Sequence, residues 1–465
     1  MTRRPLSIAV TLFALSLPLS AHSADLLQAY EMARESDPQF SAAESSRDLG
    51  REGAVQARAA LLPQIGGDAS YTRSQSESEG SQALGGRLFA SDSENDTTSQ
   101  DIGVNLRQMV YDHSVINRAR SQGALAEASD YQLEAAGDTL ITRTSKAYFD
   151  VLIAMETLSA AEAQEAALKK QFDFADKRLE VGLAPITDVH EARAQYDRAR
   201  ANTIVVRNAL EDAYRALEEI TGQEVRDLRA LPQDFQPGLP SELDGEGWVR
   251  TALENNPALK AQESRLRSAE AGIEAARGGH YPTLYFGANY GRGSSDGDQT
   301  DNLDRTTTDF ENDSARRSIG LTLSVPIFAG GATQSQVRSA IAQRDIAGDE
   351  LEQQKRALVR NTRNAYRTLV AGISEVEARK AAVFSARSAY DASQVGLEVG
   401  TRTVLDVLNN QQTLFNAEQE YARSRYNFLQ NRLLLEQAAG TLDIEDVREI
   451  NRLLTAEPRQ SSSAL

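Results

Sequence analysis

The residue types that most often perform catalysis or bind metal are few and scattered in this sequence. It contains no cysteine, which excludes disulfides, cysteine metal sites and a thiol nucleophile. His113, His190 and His280 lie far apart, without the spacing of metal ligands. The sequence has no nucleophile elbow, P-loop or dinucleotide fingerprint, and its many carboxylates recur at the spacing of solvated helix faces. We therefore predict that the protein is not an enzyme and holds no metal or cofactor.

The N-terminus has the pattern of a secretory signal peptide. Arg3 and Arg4 precede a short apolar run. Ala21 and Ser23 then fit the small positions before a cleavage site, which predicts a signal peptide over residues 1–23. Removing the two arginines changes the formal charge from −17 to −19. Such an acidic chain is poorly suited to nucleic acid, so no nucleic-acid partner is predicted.

An internal duplication organises the rest of the chain. Six short segments recur in the same order at nearly constant offsets, which predicts two structural repeats. The matching segments are 35–38 with 254–257, 63 with 282, 102–104 with 319–321, 147–148 with 365–366, 180–182 with 398–400, and 188 with 406. The predicted divisions are repeat 1 over 24–236, a linker over 237–247, repeat 2 over 248–440, and a C-terminal segment over 441–465.

Long proline-free stretches dominate each repeat. They are rich in Ala, Leu, Glu, Gln and Arg, with apolar residues spaced by three and four, which indicates amphipathic helices. Each repeat is predicted to hold one opening helix and one long helical hairpin. The predicted helices are 26–61, 113–178 and 186–220, followed by 248–277, 333–395 and 403–438. This periodicity alone also fits a soluble periplasmic coiled-coil structural protein, which we keep as the alternative.

Segments of alternating apolar residues predict two strands of about ten residues in each repeat, the length that crosses an outer membrane when tilted. The clearest alternation is at Ile102, Val104 and Leu106, and from Ile319 to Ile327. Polar stretches over 73–100 and 292–317 separate the paired strands and are predicted to be long external loops.

Four strands cannot close a barrel, and open edges in lipid leave unpaired backbone groups. Spanning strands would therefore require several chains in one barrel. Two chains give eight strands and a filled interior, whereas three give twelve strands and leave a lumen. The argument favours a homotrimer and leaves other numbers open.

Several distributed segments resemble one known family. They are Leu-Leu-Pro-Gln at 61–64, Val-Gly-Leu at 181–183, Ile-Thr-Asp-Val at 186–189, Ala-Arg-Ala-Gln-Tyr-Asp at 192–197 and Val-Gly-Thr-Arg-Thr at 399–403. With these segments, the chain resembles the TolC family of outer-membrane efflux proteins across essentially its whole mature length.

The resemblance implies a membrane α+β fold. In this fold a trimeric twelve-stranded β-barrel, with four strands per chain, continues into a long α-helical barrel. The implied location is the outer membrane of a Gram-negative bacterium, with extension into the periplasm. The implied function is the exit duct of a tripartite efflux pump or a type I secretion system. Its partners would be a periplasmic adaptor, an inner-membrane transporter and outer-membrane lipid. The cargo stays open among drugs, proteins and metals.

The resemblance also implies roles for residues at the tips of the helical hairpins. Thr187, Asp188 and Arg402 match a network that closes the periplasmic gate, and Asp406 matches a carboxylate that faces the lumen. Three copies of such a carboxylate would concentrate cations. Without the family, these charges would be interpreted as solvated helix faces.

The glycine turns at the same tips match the surface that meets the adaptor. This surface would comprise Gly182, Leu183, Gly400 and Thr401. Glycine suits such turns because it tolerates the left-handed backbone conformation at a helix end.

Two positions depart from the family pattern. The family's second lumen-facing acid is Asn409 in this chain, and a tyrosine that helps to latch the closed state is replaced by Leu397. We therefore expect weaker cation binding at the tip and a gate that opens more easily.

Overall fold

The computed structural model describes residues 25–84, 87–183, 185–241, 243–302 and 305–455. The predicted signal peptide and the end of the predicted C-terminal segment lie outside these ranges. In the first half, the elements are α1 (Leu26–Ser36), α2 (Pro38–Ala59), β1 (Gln64–Leu84), β2 (Arg87–Tyr111), α3 (His113–Glu180) and α4 (Ile186–Thr221). In the second half they are α5 (Gly245–Asn255), α6 (Pro257–Arg277), β3 (Thr283–Asp301), β4 (Thr306–Ser324), α7 (Ala332–Glu398), α8 (Val404–Ala439) and α9 (Ile444–Leu453).

The opening helix of each repeat is broken into two, so the predictions of single helices over 26–61 and 248–277 are wrong. The breaks fall before Pro38 and Pro257, whose rings disfavour helical geometry in the preceding residue. Each preceding side chain caps the new helix. Asp37 accepts a hydrogen bond from the Phe40 N–H, and Asn256 accepts one from the Leu259 N–H, both at 3.0 Å.

The four long helices begin and end within a few residues of their predicted bounds. The 68 residues of α3 and the 67 of α7 each extend about 100 Å at a rise of 1.5 Å per residue. The carboxylate of Asp112 caps α3 by accepting from the N–H groups of Ser114 and Val115. Within the described residues, no helix is both long and apolar enough to cross a membrane.

The strands form one antiparallel sheet in the order β1-β2-β3-β4. They contain 21, 25, 19 and 19 residues, so the predictions of ten-residue strands and of long loops over 73–100 and 292–317 are wrong. The ladder continues through these polar stretches, for example at Thr97 opposite Gly297. Backbone hydrogen bonds need no apolar side chains, so the hairpins extend well past the alternating segments. β1 and β4 are the two edges of the sheet.

The helices next to the sheet form a row with the same arrangement. α3 packs against α2 and α6, and α6 packs against α7, which gives the order α2-α3-α6-α7. The helices at the ends of this row are joined to the edge strands of the sheet, because α2 leads into β1 and β4 leads into α7. Both layers of the chain therefore end in open sides.

The main hydrophobic core lies where the two repeats meet the segment between α4 and α5. Val225, Leu228, Leu231 and Phe235 of that segment are buried there. The Tyr148 hydroxyl group donates a hydrogen bond to the carbonyl of Arg229, and it accepts one from the N–H of the same residue.

Both repeats also contribute to a polar network beside this core. Arg425 donates to Glu156 at 2.6 Å and to the carbonyl of Pro232 at 3.1 Å, and the Tyr426 hydroxyl group donates to Glu156 at 2.8 Å. Near the C-terminus, the Asn451 side chain links α9 to the start of α1 through the backbone N–H of Leu26. These contacts bind the inter-repeat segment to the long helices α3 and α8, and they bind the C-terminal helix to the start of α1.

Candidate functional site

The first hairpin tip joins α3 to α4 through a glycine in the left-handed conformation. Gly182 has φ of 76°, and its N–H donates to the carbonyl of Leu179. The Leu183 N–H donates to the Arg178 carbonyl at 2.7 Å, so the turn satisfies carbonyls at the end of α3. Leu183 is two-thirds exposed. This tip therefore presents an apolar side chain to its surroundings.

The start of α4 has no side-chain cap, because Pro185 occupies the N-cap position. Thr187 is exposed and Asp188 is half-buried in the first turn. A carboxylate in the first turn of a helix interacts favourably with the helix dipole. The described residues of this chain offer Asp188 no ion-pair partner.

The second hairpin tip, between α7 and α8, is more tightly held. Gly400 has φ of 80°, and the N–H groups of Thr401 and Arg402 both donate to the carbonyl of Gly396. Thr403 then caps α8 in a reciprocal pair with Asp406. The Asp406 carboxylate accepts from the Thr403 N–H at 3.0 Å and from its hydroxyl group at 2.8 Å.

These contacts stabilise the charged form of Asp406. Its pKa is lowered, first by the hydrogen bond from the Thr403 backbone, then by the Thr403 hydroxyl group, and also by the Arg402 guanidinium. The carboxylate is therefore negative at neutral pH. Asn409 lies three residues further along α8, exposed, and three residues along a helix places the two side chains on adjacent positions of one face.

Beyond the tips, α8 packs against both α3 and α4 of its own chain. Leu408 is buried in an apolar cluster with Leu168 and Ala199. The structure does not bring Asp188 and Arg402 together in a single chain. A link between them requires the hairpin of another copy.

Leu397 lies in the last turn of α7 and is half-buried. It accepts the Gly400 N–H through its backbone carbonyl at 3.2 Å. Its apolar side chain offers no hydrogen bond to a gate network. The described part of the chain contains no group of three or more His, Asp or Glu residues that could hold a metal ion.

The sequence interpretation missed that Asp406 takes part in a helix cap. The signal was present, because Thr403 and Asp406 have the spacing of a capping box at the start of an apolar run. The first repeat has Pro185 at the matching position, so the two tips differ in how firmly their second helix is started.

A sheet with open edges that continues into helical hairpins of about 100 Å defines one protomer of a membrane channel. Comparison with known proteins identifies the family. The profile of the "Outer membrane efflux protein" family matches residues 29–223 and again 248–441, one match in each repeat. The chain belongs to this family.

Individual relatives agree with this assignment. Outer membrane protein TolC of Escherichia coli is 36% identical over 434 residues, covering 93% of this chain and 85% of that protein. The alkaline protease secretion protein AprF of Pseudomonas aeruginosa is 30% identical over 437 residues, covering 94% of this chain and 88% of that protein. The crystal structure of VceC from Vibrio cholerae has a TM-score of 0.70 at 20% identity, with coverage of 89% and 96%.

These findings confirm the predicted family, the two-repeat fold class and the location. The chain is an outer-membrane exit duct of the class that serves efflux and type I secretion, and it extends from the outer membrane into the periplasm. The relatives are channel proteins, and the alternative of a soluble periplasmic coiled coil is set aside.

Proposed function

We propose that three copies of this chain form one gated conduit, with a barrel in the outer membrane and a helical tunnel that closes at the tips. The observation that carries the proposal is the pair of open sides, β1 with α2 and α7 with β4. Each side ends in one strand and one helix with no further neighbour in its layer among the described residues, so one side of a copy can pair with the other side of the next copy. Identical copies can therefore join in a ring. Twelve strands, together with the twelve helices contributed as α2, α3, α6 and α7 of each copy, would then enclose a lumen.

The gate is proposed to lie at the hairpin tips. Thr187 and Asp188 would meet Arg402 of another copy, since no ion pair joins Asp188 to Arg402 within the described residues of one chain. Arg402 is exposed and forms no ion pair among the described residues, so it is available to another copy. Opening would then separate the coils by breaking these contacts.

Asp406 is proposed to form the selectivity ring of the lumen, with Asn409 as an uncharged ring beside it. The Thr403 cap holds the Asp406 carboxylate in place and favours its charged form. Three such charges at a constriction attract cations and obstruct anions. One ring of carboxylates gives weaker cation binding than two.

The proposed partners are a periplasmic adaptor and an inner-membrane transporter, with lipid around the barrel. The adaptor surface would include Gly182, Leu183, Gly400 and Thr401, which are exposed at the tips. The linker 237–247 and the C-terminal segment 441–465 would form a belt around the middle of the tunnel. No catalytic step is part of this function. The relatives include a protease secretion protein and efflux proteins, so protein or small-molecule cargo would be chosen by the transporter.

Single-channel recording in planar bilayers tests the selectivity ring. Asp406→Asn removes the charge but keeps an oxygen that can accept from Thr403. We expect it to reduce both cation selectivity and block by divalent cations. The matched variant Asn409→Asp adds a second ring of charge, and we expect it to increase both quantities. If neither variant changes selectivity, Asp406 does not face the conduction path.

A further inference from the structure

A row of arginines follows one exposed face of α7 near the middle of the helix. Arg356, Arg360, Arg363 and Arg367 are spaced by four, three and four residues, which places them on one helix face, here called the basic stripe. Arg356 pairs with Glu352 of its own helix, and Arg363 pairs with Glu246 of α5. The described residues of the chain provide no acidic partner for Arg360 or Arg367. The stripe therefore carries more positive charge than one chain neutralises.

The internal repeat provides a template for what covers this face. An offset of 218 residues superimposes α3 on α7, as the matched buried pair Thr144 and Thr362 indicates. The positions of α3 that match Arg360, Arg363 and Arg367 are buried, and they are Thr142, Ser145 and Phe149.

The helix that covers this face of α3 is α8, which belongs to the other repeat. Gln430 of α8 donates to the carbonyl of Thr142 at 3.2 Å, and the ring of Tyr426 lies 5.9 Å from that of Phe149. By the same symmetry, the face of α7 should be covered by the counterpart of α8, which is α4. Within one chain α7 packs against α5, α6 and α8. The covering helix would therefore be α4 of another copy.

The residues that face each other differ between the contact of α8 with α3 and the proposed contact of α4 with α7. Where α8 presents the neutral Gln430 to α3, the matching residue of α4 is Asp212, and where it presents Gln437, α4 has Glu219. Both carboxylates are exposed, and neither forms an ion pair in the described chain. At these two positions, neutral residues of α8 meet neutral residues of α3 inside the chain. Between chains, the same template would place Asp212 of α4 opposite Arg360 of α7.

We propose that α4 of a second copy of this chain lies on the basic stripe, with Asp212 opposite Arg360. The proposal rests on the ring assembly of the proposed function and identifies the residues that join its subunits. Pairing a basic edge with an acidic edge favours head-to-tail contact, and it opposes the joining of two like edges. The stripe therefore directs the copies toward a closed ring.

The neighbouring contact of α3 gives a second pair from the same template. Ser121 of α3 and Ser268 of α6 have hydroxyl oxygens 2.8 Å apart. The matching residues are Ser339 of α7 and Leu49 of α2. The side chain of Leu49 is 76% exposed in the single chain. Such exposure is unusual for a leucine of a packed helix, and it agrees with burial of Leu49 by another copy.

Cysteine cross-linking tests the arrangement, because the chain has no cysteine of its own. We expect the Leu49→Cys, Ser339→Cys variant to form disulfides between chains after oxidation, giving covalent dimers and trimers on a non-reducing gel. The matched control is Ser121→Cys with Ser268→Cys, which should link within one chain and migrate as a monomer. If the protein is a trimer in detergent and the control links, but the test pair stays monomeric, the proposed interface is wrong. If the mass in detergent is not that of a trimer, the ring assembly itself fails.

Charge reversal tests the ionic part. We expect Arg360→Asp and Asp212→Arg each to lower the temperature at which the detergent-solubilised trimer dissociates. Together they should restore it, because the pair is re-formed with opposite signs. The pairing of Asp212 with Arg360 would be refuted if the single reversals left the dissociation temperature unchanged. It would also be refuted if the double variant lowered the dissociation temperature by the sum of the two single decreases.

Discussion

Glu156 joins the two repeats at the core, and we expect its substitution to weaken their contact more than other single changes. It lies on α3 and accepts hydrogen bonds from Arg425 and Tyr426 of α8, at 2.6 and 2.8 Å. Arg425 is almost fully buried, and its Nε atom has no partner among the described atoms. Its charge therefore depends on Glu156 and on the carbonyl of Pro232. The substitution Glu156→Gln keeps the shape of the side chain and removes the compensating charge.

The expected loss follows from the burial of this pair. Removing one partner of a buried ion pair typically costs about 3 to 5 kcal/mol, because the other charge remains in a low-dielectric site. The Glu156 side chain is 21% exposed while that of Arg425 is 4% exposed, so we expect the lower end, about 3 kcal/mol. Tyr426→Phe removes the hydroxyl group that donates to Glu156 and accepts from the Leu231 N–H, and it should cost about 1 kcal/mol.

Thermal unfolding in detergent, followed by circular dichroism of the helices, measures these losses in a double-mutant cycle. Arg425→Met removes the buried charge itself. We expect each single variant to unfold at a lower temperature than the native protein. The combination Glu156→Gln with Arg425→Met should lose less than the sum, by at least about 1 kcal/mol of coupling. Strictly additive losses, or a Glu156→Gln variant as stable as the native protein, would refute the argument that Arg425 depends on Glu156.

Three further predictions concern the tips and the C-terminal end of α8. Thr403→Ala should weaken the start of α8 by about 1 kcal/mol, seen as roughly fivefold faster amide exchange in its first turn; equal protection in both proteins would refute the cap. Leu397→Tyr should restore a latch and lower the open probability in single-channel records; an unchanged open probability would contradict it. Burial, with the Asp446 carboxylate, raises the pKa of Glu436 from 4.5 to about 7. The folded state then binds this proton more tightly, so the stability it confers is complete below about pH 4.5 and is lost as the pH rises through 7. Glu436→Gln should therefore raise the unfolding temperature at alkaline pH and have little effect at about pH 4. A variant that changes the unfolding temperature at about pH 4 but not at alkaline pH would contradict the burial argument.

The long helices could be predicted from the sequence because their signals are local. Proline is absent from their interiors, apolar residues follow the helical period, and Gly182 and Gly400 mark the turns. The breaks at Pro38 and Pro257 were also marked locally, by a capping residue before each proline. The helical spacing of apolar residues continues across such a break. Periodicity alone therefore predicted one helix where the structure has two.

The strand lengths could not be obtained from apolar alternation. Alternation marks only the part of a strand with one apolar face, near Ile102 and Ile319, whereas the ladder extends through polar pairs such as Thr97 with Gly297. The gate residues could be assigned only through the family resemblance. Asp188 and Arg402 do not form an ion pair within the described residues of one chain, so the proposed pairing would require a second copy, and no local pattern indicates it.

The most direct test of the account is the mass of the native protein after it is extracted from membranes. We predict that the protein fractionates with the outer membrane, is released only by detergent, and has about three times the mass of its protomer in the detergent complex. A protein that is released in soluble form without detergent, or that is a monomer in detergent, would contradict the account of a shared barrel and tunnel.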